Sequence, residues 1–196
     1  MNLIQIALPF AIAAIFSAAA NAQTAATEVQ RNVNQQERIE QGLKSGQLNT
    51  REAARLERKE SNIERMEKNA LKDGKLSNRE KVRIDRAQDR VSKDIAREKH
   101  DAQTGNPQSA SSQRMQKDVQ RNVNQQQRIE QGIKSGELNN REVAKLEGQQ
   151  ARVNRREAHA GRDGFVGKRE QAGIQNAENR ASRKIYREKH DAQTRK

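Results

Sequence analysis

The sequence VQRNVNQQERIEQGLKSGQLN at residues 29–49 returns as VQRNVNQQQRIEQGIKSGELN at residues 119–139. The likeness extends from residues 29–104 to residues 119–194, where about 43 of the 76 paired positions are identical and no gap is needed. Both copies end on REKHDAQT. The chain is therefore built from one unit that occurs twice.

The first 22 residues have the pattern of a secretory signal peptide. Residues 3–20 are almost wholly apolar, and Ala20-Asn21-Ala22 has the small-x-small form of a cleavage site. An uncleaved anchor is the alternative, although about 18 residues that include Pro9 are short for a hydrocarbon core of about 30 Å. We predict that the mature chain begins at Gln23 and is periplasmic or secreted.

The composition is unusual for a folded protein. Charged residues make up 33% of the chain, aromatic residues make up 2%, and there is no cysteine. The chain therefore has neither disulfides nor a thiol nucleophile, and its core must consist of Leu, Ile, Val, Met and Ala. Because such a core is thin, a helical region that folds only with a protein partner is one hypothesis.

Apolar residues recur at steps of three and four residues in three segments of each copy, which is typical of amphipathic helices. In the third segment these residues are Ile84, Ala87, Val91 and Ile95, and Ile174, Ala177, Ala181 and Ile185 match them in the second copy. The pattern predicts helices at residues 28–44, 50–72, 78–102, 118–134, 140–162 and 168–192.

The predicted fold class is all-α, with two tandem copies of a three-helix, up-down-up hairpin or bundle unit. Tight turns make neighbouring helices antiparallel, which favours a closed bundle, and elongated helical hairpins or a coiled coil are the alternative. Residues 105–116 include GNPQSASSQ, which is small and polar and holds the only proline after the signal peptide. The predicted segments are a signal peptide at 1–22, repeat units at 23–104 and 117–196, and a polar linker at 105–116.

The turns between helices have a recurring form. Gly46 can adopt the left-handed conformation that ends a helix, and Asn49 can cap the next helix, with Glu52 as the capping-box acid. Gly74, Ser77 and Glu80 repeat this pattern 28 positions later, and Gly136, Asn139 and Glu142 repeat it in the second copy. The fourth turn has Gly167 at the cap position, so its side-chain cap is lost.

The run DGKLSNRE at residues 73–80 resembles the second half of an EF-hand loop, in which an acidic residue, a glycine, an aliphatic residue and a final glutamate have fixed places. The resemblance implies that Asn69, Asp73, Ser77 and Glu80 are metal ligands and that Ca²⁺ is the cofactor. The same residues also suit a capped turn between two helices. A Ca²⁺-responsive protein derived from EF-hands is thus an alternative function.

Charge is the main indication of a partner. The net charge is +13. Residues 27–104 hold 19 basic and 15 acidic side chains, and residues 117–196 hold 19 basic and 11 acidic side chains. This excess favours an anionic polymer or envelope surface as the partner, whereas pairs such as Glu64-Lys68 are typical of a solvated helix face. Two aromatic residues in the mature chain provide no stacking platform for sequence-specific nucleic-acid binding.

The REKHDAQT tails place two carboxylates on one helix face. Glu98 and Asp101 share a face, as do Glu188 and Asp191, and each pair is a possible two-carboxylate spot. Electrostatic stabilisation of the helix end by the neighbouring Lys and His is the alternative role.

No sequence motif of a hydrolase, a metalloprotease or a phosphate-binding loop is present, so we predict that the protein is not an enzyme. The leading hypothesis is an exported binding or scaffold protein with basic helical repeats. The polar Gln and Asn residues of the first helix are closely alike in the two copies. We therefore expect any binding surface to lie on that face.

Overall fold

The computed structural model describes the backbone of residues 12–191 and the side chains of residues 24–191. Those residues form six α-helices and one short 3₁₀ turn, and they contain no strand, which confirms the all-α fold class. The helices are α1 (Ile12–Ser45), α2 (Thr50–Leu71), α3 (Asn78–Lys99), α4 (Ala110–Ser135), α5 (Asn140–Ala160) and α6 (Lys168–Lys189), with the 3₁₀ turn at Gly161–Asp163.

The predicted starts of α2, α3, α5 and α6 are confirmed, and the predicted helix ends are correct to within a few residues. Two helices are longer than predicted. Helix α4 begins at Ala110, because the Ser109 side chain accepts a hydrogen bond from the Ser112 amide and caps it. Residues 110–116, which we assigned to the linker, are therefore helical. Helix α1 runs from Ile12 through the predicted cleavage site, and residues 1–11 of the predicted signal peptide lie outside the described residues.

The predicted turn chemistry is confirmed. Asn49, Ser77 and Asn139 each complete a capping box with the glutamate three residues later. Gly167 has no side chain to cap the helix, so only the second bond of the capping box is made: its amide donates to Glu170 Oε2 at 2.8 Å. The glycines that end the preceding helices have positive φ angles, as only glycine readily allows: Gly46, Gly74, Gly136 and Gly164.

The most extensive packing joins the two copies to each other. Helix α2 packs against α5, and α1 packs against α4, while α3 lies on α1 and α2 and α6 lies on α4 and α5. The predicted closure of each copy on itself as a three-helix bundle is therefore wrong: α1, α2, α4 and α5 form a shared centre with one flanking helix on either side. One apolar core contains residues of both copies, so each copy covers apolar surface of the other.

The two copies pair antiparallel and are related by an approximate twofold axis. Arg51 Nη2 donates to the Asp163 carbonyl at 2.7 Å, and Arg141 Nη2 donates to the Asp73 carbonyl at 3.3 Å. Arg51 and Arg141 occupy equivalent positions in the repeat, as do Asp73 and Asp163. The contact is thus reciprocal, which is the mark of an isologous interface.

The apolar core is continuous across both copies. Its largest fully buried side chains are all aliphatic or methionine: Ile39, Leu43, Leu48, Leu56, Ile63, Ile84, Ile95, Met115, Ile129, Ile133, Leu138 and Leu146. Among the residues that the structure describes, no helix combines the length and the hydropathy needed to cross a bilayer.

Candidate functional site

The polar face of the first helix lies inside the bundle, so our expectation of an exposed binding surface there is wrong. Asn32, Gln35 and Gln36 are each at most 2% exposed. Gln35 Nε2 donates to the Gln88 carbonyl at 2.6 Å and to Ser92 Oγ at 2.8 Å, which joins α1 to α3. The two copies share these residues because the residues hold the helices together.

The same helix face supplies amide donors to buried glutamates of α2. Asn32 Nδ2 lies 3.0 and 2.8 Å from the two carboxylate oxygens of Glu67, and Gln36 Nε2 donates to Glu57 Oε2 at 3.0 Å. In the second copy Asn122 donates to Glu157 at 2.8 Å. Each of these buried carboxylates thus receives a hydrogen bond from an amide side chain.

These side chains form two interior groups that the twofold axis relates to each other. We call them the Glu57 cluster and the Glu67 cluster. The Glu57 cluster consists of Glu57, Glu157, Asp118, Glu178, Gln36 and Asn122, and the Glu67 cluster consists of the equivalent residues Glu147, Glu67, Glu28, Gln88, Gln126 and Asn32.

Burial raises the pKa of the carboxyl groups in both clusters. Desolvation is the main cause for each of the four central glutamates, and neighbouring carboxylates add to it in Glu67 and Glu157. Desolvation raises the pKa of Asp118 to about 7 and that of Glu178 to about 8, although Arg121 opposes both shifts. Several interior carboxyls therefore hold a proton at pH values where exposed ones are ionised.

The helix pairs that we interpreted as a solvated face are partly buried, so that interpretation is wrong. Glu57, Ser61 and Glu64 are at most 3% exposed. Ser61 donates to the Ala151 carbonyl at 2.8 Å and thus contributes to the contact between the copies. Glu60 is also buried, and neither of its carboxylate oxygens has a hydrogen-bond partner among the described residues.

An open groove with a volume of about 730 Å³ lies on the outer surface of the second copy, beside α6. Five of its lining residues are basic and none is acidic. We call it the arginine groove; it is lined by Arg128, Gln149, Arg180, Ser182, Arg183, Lys184, Tyr186 and Arg187.

The equivalent surface of the first copy is neutralised by an acid. Asp94 forms ion pairs with Lys59 and with Arg97, the latter at 2.6 Å. In the second copy Lys184 stands at the position of Asp94, and Gln149 stands at the position of Lys59. The arginine groove therefore lacks the carboxylate around which its counterpart is arranged.

The predicted EF-hand-like ligands lie in the turn between α2 and α3. Asp73 Oδ1 accepts a hydrogen bond from the Lys75 amide at 2.9 Å, and Glu80 Oε2 accepts bonds from the Ser77 amide and hydroxyl at 3.0 and 2.6 Å. These bonds stabilise the turn and the start of α3. Asn69 lies in the last turn of α2. Ca²⁺ binding by this set of residues stays a prediction.

The histidines of the two tails bond to their own helices. His100 Nδ1 lies 2.7 Å from the Ala96 carbonyl oxygen, and His190 Nδ1 lies 2.8 Å from that of Tyr186. The His190 ring also stacks on Tyr186, with ring centroids 4.2 Å apart. Both contacts fit the helix-end role that the sequence indicates.

The chain matches no protein-family model, no curated protein and no solved structure.

Proposed function

We propose that the protein is exported to the cell envelope, where it is periplasmic or secreted, and that it binds a phosphate-bearing anionic polymer through the arginine groove. In this proposal the protein is a binding or scaffold protein and not an enzyme. The six-helix bundle is the rigid support, and the second copy carries the binding surface.

The observation that supports this proposal is the exchange of Asp94 for Lys184 between equivalent surfaces. In the first copy Asp94 holds Lys59 and Arg97 in ion pairs, so these cations are already satisfied. In the second copy Gln149 and Arg187 stand at the positions of Lys59 and Arg97, and the groove lining holds five basic side chains and no acidic one. Such an excess of cations concentrates an anionic ligand from solution.

The charge environment of Lys184 agrees with an anion site. Burial lowers its pKa, and the nearby Arg152, Lys145 and Arg187 lower it further, whereas Glu188 raises it. A bound anion would relieve the repulsion among these cations. Guanidinium groups suit phosphate because they can donate two parallel hydrogen bonds to it.

The expected ligand is a flexible polymer and not a specific nucleic-acid sequence. Tyr186 is 58% exposed beside the groove, but it is stacked on His190 and is the only aromatic lining residue. A single aromatic ring offers little surface on which successive nucleic-acid bases could stack. The groove is open to solvent, which fits a chain-like anion that lies along the helices.

The test is binding of inorganic polyphosphate to the full chain at low and high salt. We expect affinity that falls steeply as salt rises, because counterions compete for the groove. Lys184→Asp restores the acid of the first copy and should weaken binding by about tenfold or more. Lys75→Asp changes the net charge by the same amount in an exposed turn, and it should have little effect.

Two results would contradict the proposal. One is equal loss of affinity in Lys184→Asp and Lys75→Asp, which would mean that net charge alone attracts the polymer. The other is binding that salt does not weaken. Export is tested separately by sequencing the amino terminus of the protein recovered outside the cytoplasm, which we expect to be Gln23.

A further inference from the structure

Each copy holds a group of three carboxylates, apart from the EF-hand-like turn, where the start of one helix meets the end of another. In the first copy the group is Glu52, Glu98 and Asp101, and in the second it is Glu142, Glu188 and Asp191. Each residue offers one carboxylate oxygen, and within a group these oxygens lie within 4.8 Å of one another. We call the groups the first and second carboxylate triads.

Local structure explains why these residues meet. Glu52 is the capping-box residue at the start of α2, and Glu98 lies at the end of α3. Helix α3 returns antiparallel to α2, so its end reaches the start of α2. Asp101 follows two residues after the end of α3, in the bend beyond His100, which brings it back beside Glu98. The identical REKHDAQT tails repeat this arrangement in the second copy.

The central carboxylate of each triad has a buried oxygen that no group in the described part of the chain satisfies. Glu52 is 1% exposed; its Oε2 accepts the Asn49 amide at 2.9 Å, whereas its Oε1 is buried and has no hydrogen-bond partner among the described residues. Glu142 repeats this pattern with Asn139, also at 2.9 Å. A buried acceptor without a partner is costly unless a ligand binds it.

Basic side chains lie beside Glu98 and Glu188, the helix-end members of the triads. Arg55 lies 3.9 Å from Glu98, at the limit of an ion pair, and Arg97 lies 3.4 Å from it. In the second triad Lys145 lies 3.2 Å from Glu188. Burial raises the pKa of Glu52, and the carboxylates of Asp101 and Glu98 raise it further, against the hydrogen bond from Asn49. In the first triad two basic side chains thus stand beside three carboxylates.

We propose that each carboxylate triad binds one hard divalent cation, with Ca²⁺ as the representative ion, so that the chain binds two. The donors are all carboxylate oxygens, which hard cations prefer, and each of the three carboxylates supplies one. The buried Glu52 and Glu142 oxygens are the inner ligands. Backbone or water oxygens complete the shell.

The proposal has a structural consequence that the EF-hand-like turn does not share. A cation in the first triad joins the start of α2 to the end of α3, and a cation in the second joins the start of α5 to the end of α6. Since the flanking helices α3 and α6 pack on the central four, the cations stabilise them in place. Ca²⁺ therefore raises the melting temperature of the whole bundle.

The test is titration of the full chain with Ca²⁺ in a calorimeter. We expect two ions per chain, with Kd values of about 10⁻⁴ to 10⁻³ M. Asp101→Asn and Asp191→Asn are isosteric changes at exposed positions, so the fold is retained. Each variant should bind one ion, the double variant should bind none, and only the double variant should lose the whole Ca²⁺-dependent rise in melting temperature.

The matched control removes the EF-hand-like turn instead. Asp73→Asn combined with Glu80→Gln should leave both ions bound. Three outcomes would overturn the proposal: no heat of binding at millimolar Ca²⁺, unchanged stoichiometry in the double triad variant, or loss of binding in the Asp73 and Glu80 variant. The last outcome would assign the metal to the turn between α2 and α3.

Discussion

Asn154 Nδ2 donates a hydrogen bond of 2.9 Å to Oε1 of Glu64, the residue at the equivalent position 90 residues earlier. Two equivalent residues can meet only near the axis that relates their copies. The bond therefore places the twofold axis at the middle of the α2–α5 contact. It also shows how the copies have diverged, because an amide now faces a carboxylate where an exact symmetry would place two identical side chains together.

The first prediction concerns the isolated copies. Residues 105–196 on their own should form a homodimer that resembles the bundle, because each copy provides the surface that its partner covers. In that dimer Asn154 meets Asn154. Residues 23–104 should dimerise less well, since Glu64 would meet Glu64. Sedimentation equilibrium gives both association constants.

The matched variant of this experiment is Glu64→Asn in residues 23–104, which we expect to strengthen dimerisation by about tenfold or more, because the costly burial of two facing carboxyl groups is removed. Folded monomers of either fragment would contradict the prediction. They would show that a copy can close its core alone.

The second prediction is that the bundle loses stability as the pH rises. The interior carboxyls have raised pKa values, about 7 for Asp118 and about 8 for Glu178, so the folded state keeps protons that the unfolded chain releases above about pH 4.5. The free energy of unfolding should therefore fall between about pH 5 and pH 8. Circular dichroism melts across this range should show a fall in Tm of at least about 5 °C.

The repeat provides the control for the pH experiment. Gln88 is the equivalent of Glu178, so Glu178→Gln introduces a side chain that the other copy already uses. We expect this variant to be more stable than the natural chain at pH 8 and to show a shallower pH dependence. A Tm profile that is flat in the natural chain, or unchanged in the variant, would disprove the role of the interior carboxyls.

The third prediction tests the reciprocal arginine contacts. Arg51→Ala and Arg141→Ala should each lower the free energy of unfolding by about 1 kcal/mol, because each removes a hydrogen bond to the turn of the other copy. The two losses should add to within about 0.5 kcal/mol, since the contacts are at opposite ends of the α2–α5 pair. Urea titration measures each value.

The control is Arg90→Ala. Arg90 is exposed on α3, and no hydrogen bond or ion pair of its side chain occurs within the described part of the chain. Its removal should change the free energy of unfolding by less than about 0.5 kcal/mol. Equal effects of Arg51→Ala and Arg90→Ala would mean that the cross-copy contact contributes nothing.

The fourth prediction concerns a close contact inside a repeated turn. A Cβ on Gly132 would lie 2.6 Å from Leu138 Cδ1, and Leu138 is fully buried. Gly132→Ala should therefore destabilise the bundle by about 1 to 3 kcal/mol despite the better helix propensity of alanine. Gly173→Ala is the control: nothing lies within 4 Å of its Cβ position, so it should stabilise α6 by about 0.5 to 1 kcal/mol. Urea titration of both variants should give opposite signs, and a stabilising Gly132→Ala would contradict the contact.

The helices and turns could be predicted because their causes are local. Gly74 ends α2, and Ser77 and Glu80 begin α3, through bonds between residues at most three positions apart. Such chemistry is legible in a single stretch of sequence. The start of α4 also has a local cause, which is the bond from the Ser112 amide to the Ser109 side chain. The prediction places this start too late because the small polar residues around Ser109 are typical of a linker.

The candidate sites could be predicted only in fragments. Glu98 and Asp101 lie close together because they are near in sequence at the end of α3, but Glu52 lies 46 positions before Glu98 and joins them only through the packing of α3 on α2. The arginine groove likewise depends on which surfaces the two copies leave exposed. A comparison of Asp94 with Lys184 in the aligned repeats was the one sequence signal that could have indicated it.

Short-range chemistry in the chain was enough to establish the helices, their caps and the duplication. The tertiary structure decided that the copies pack through each other and that Asn32, Gln36, Glu57 and Glu67 lie inside. A polar side chain gives no sign of its burial by itself, because burial depends on whether a partner from a distant part of the chain satisfies its hydrogen bonds. In this bundle those partners come from another helix of the same copy or from the opposite copy.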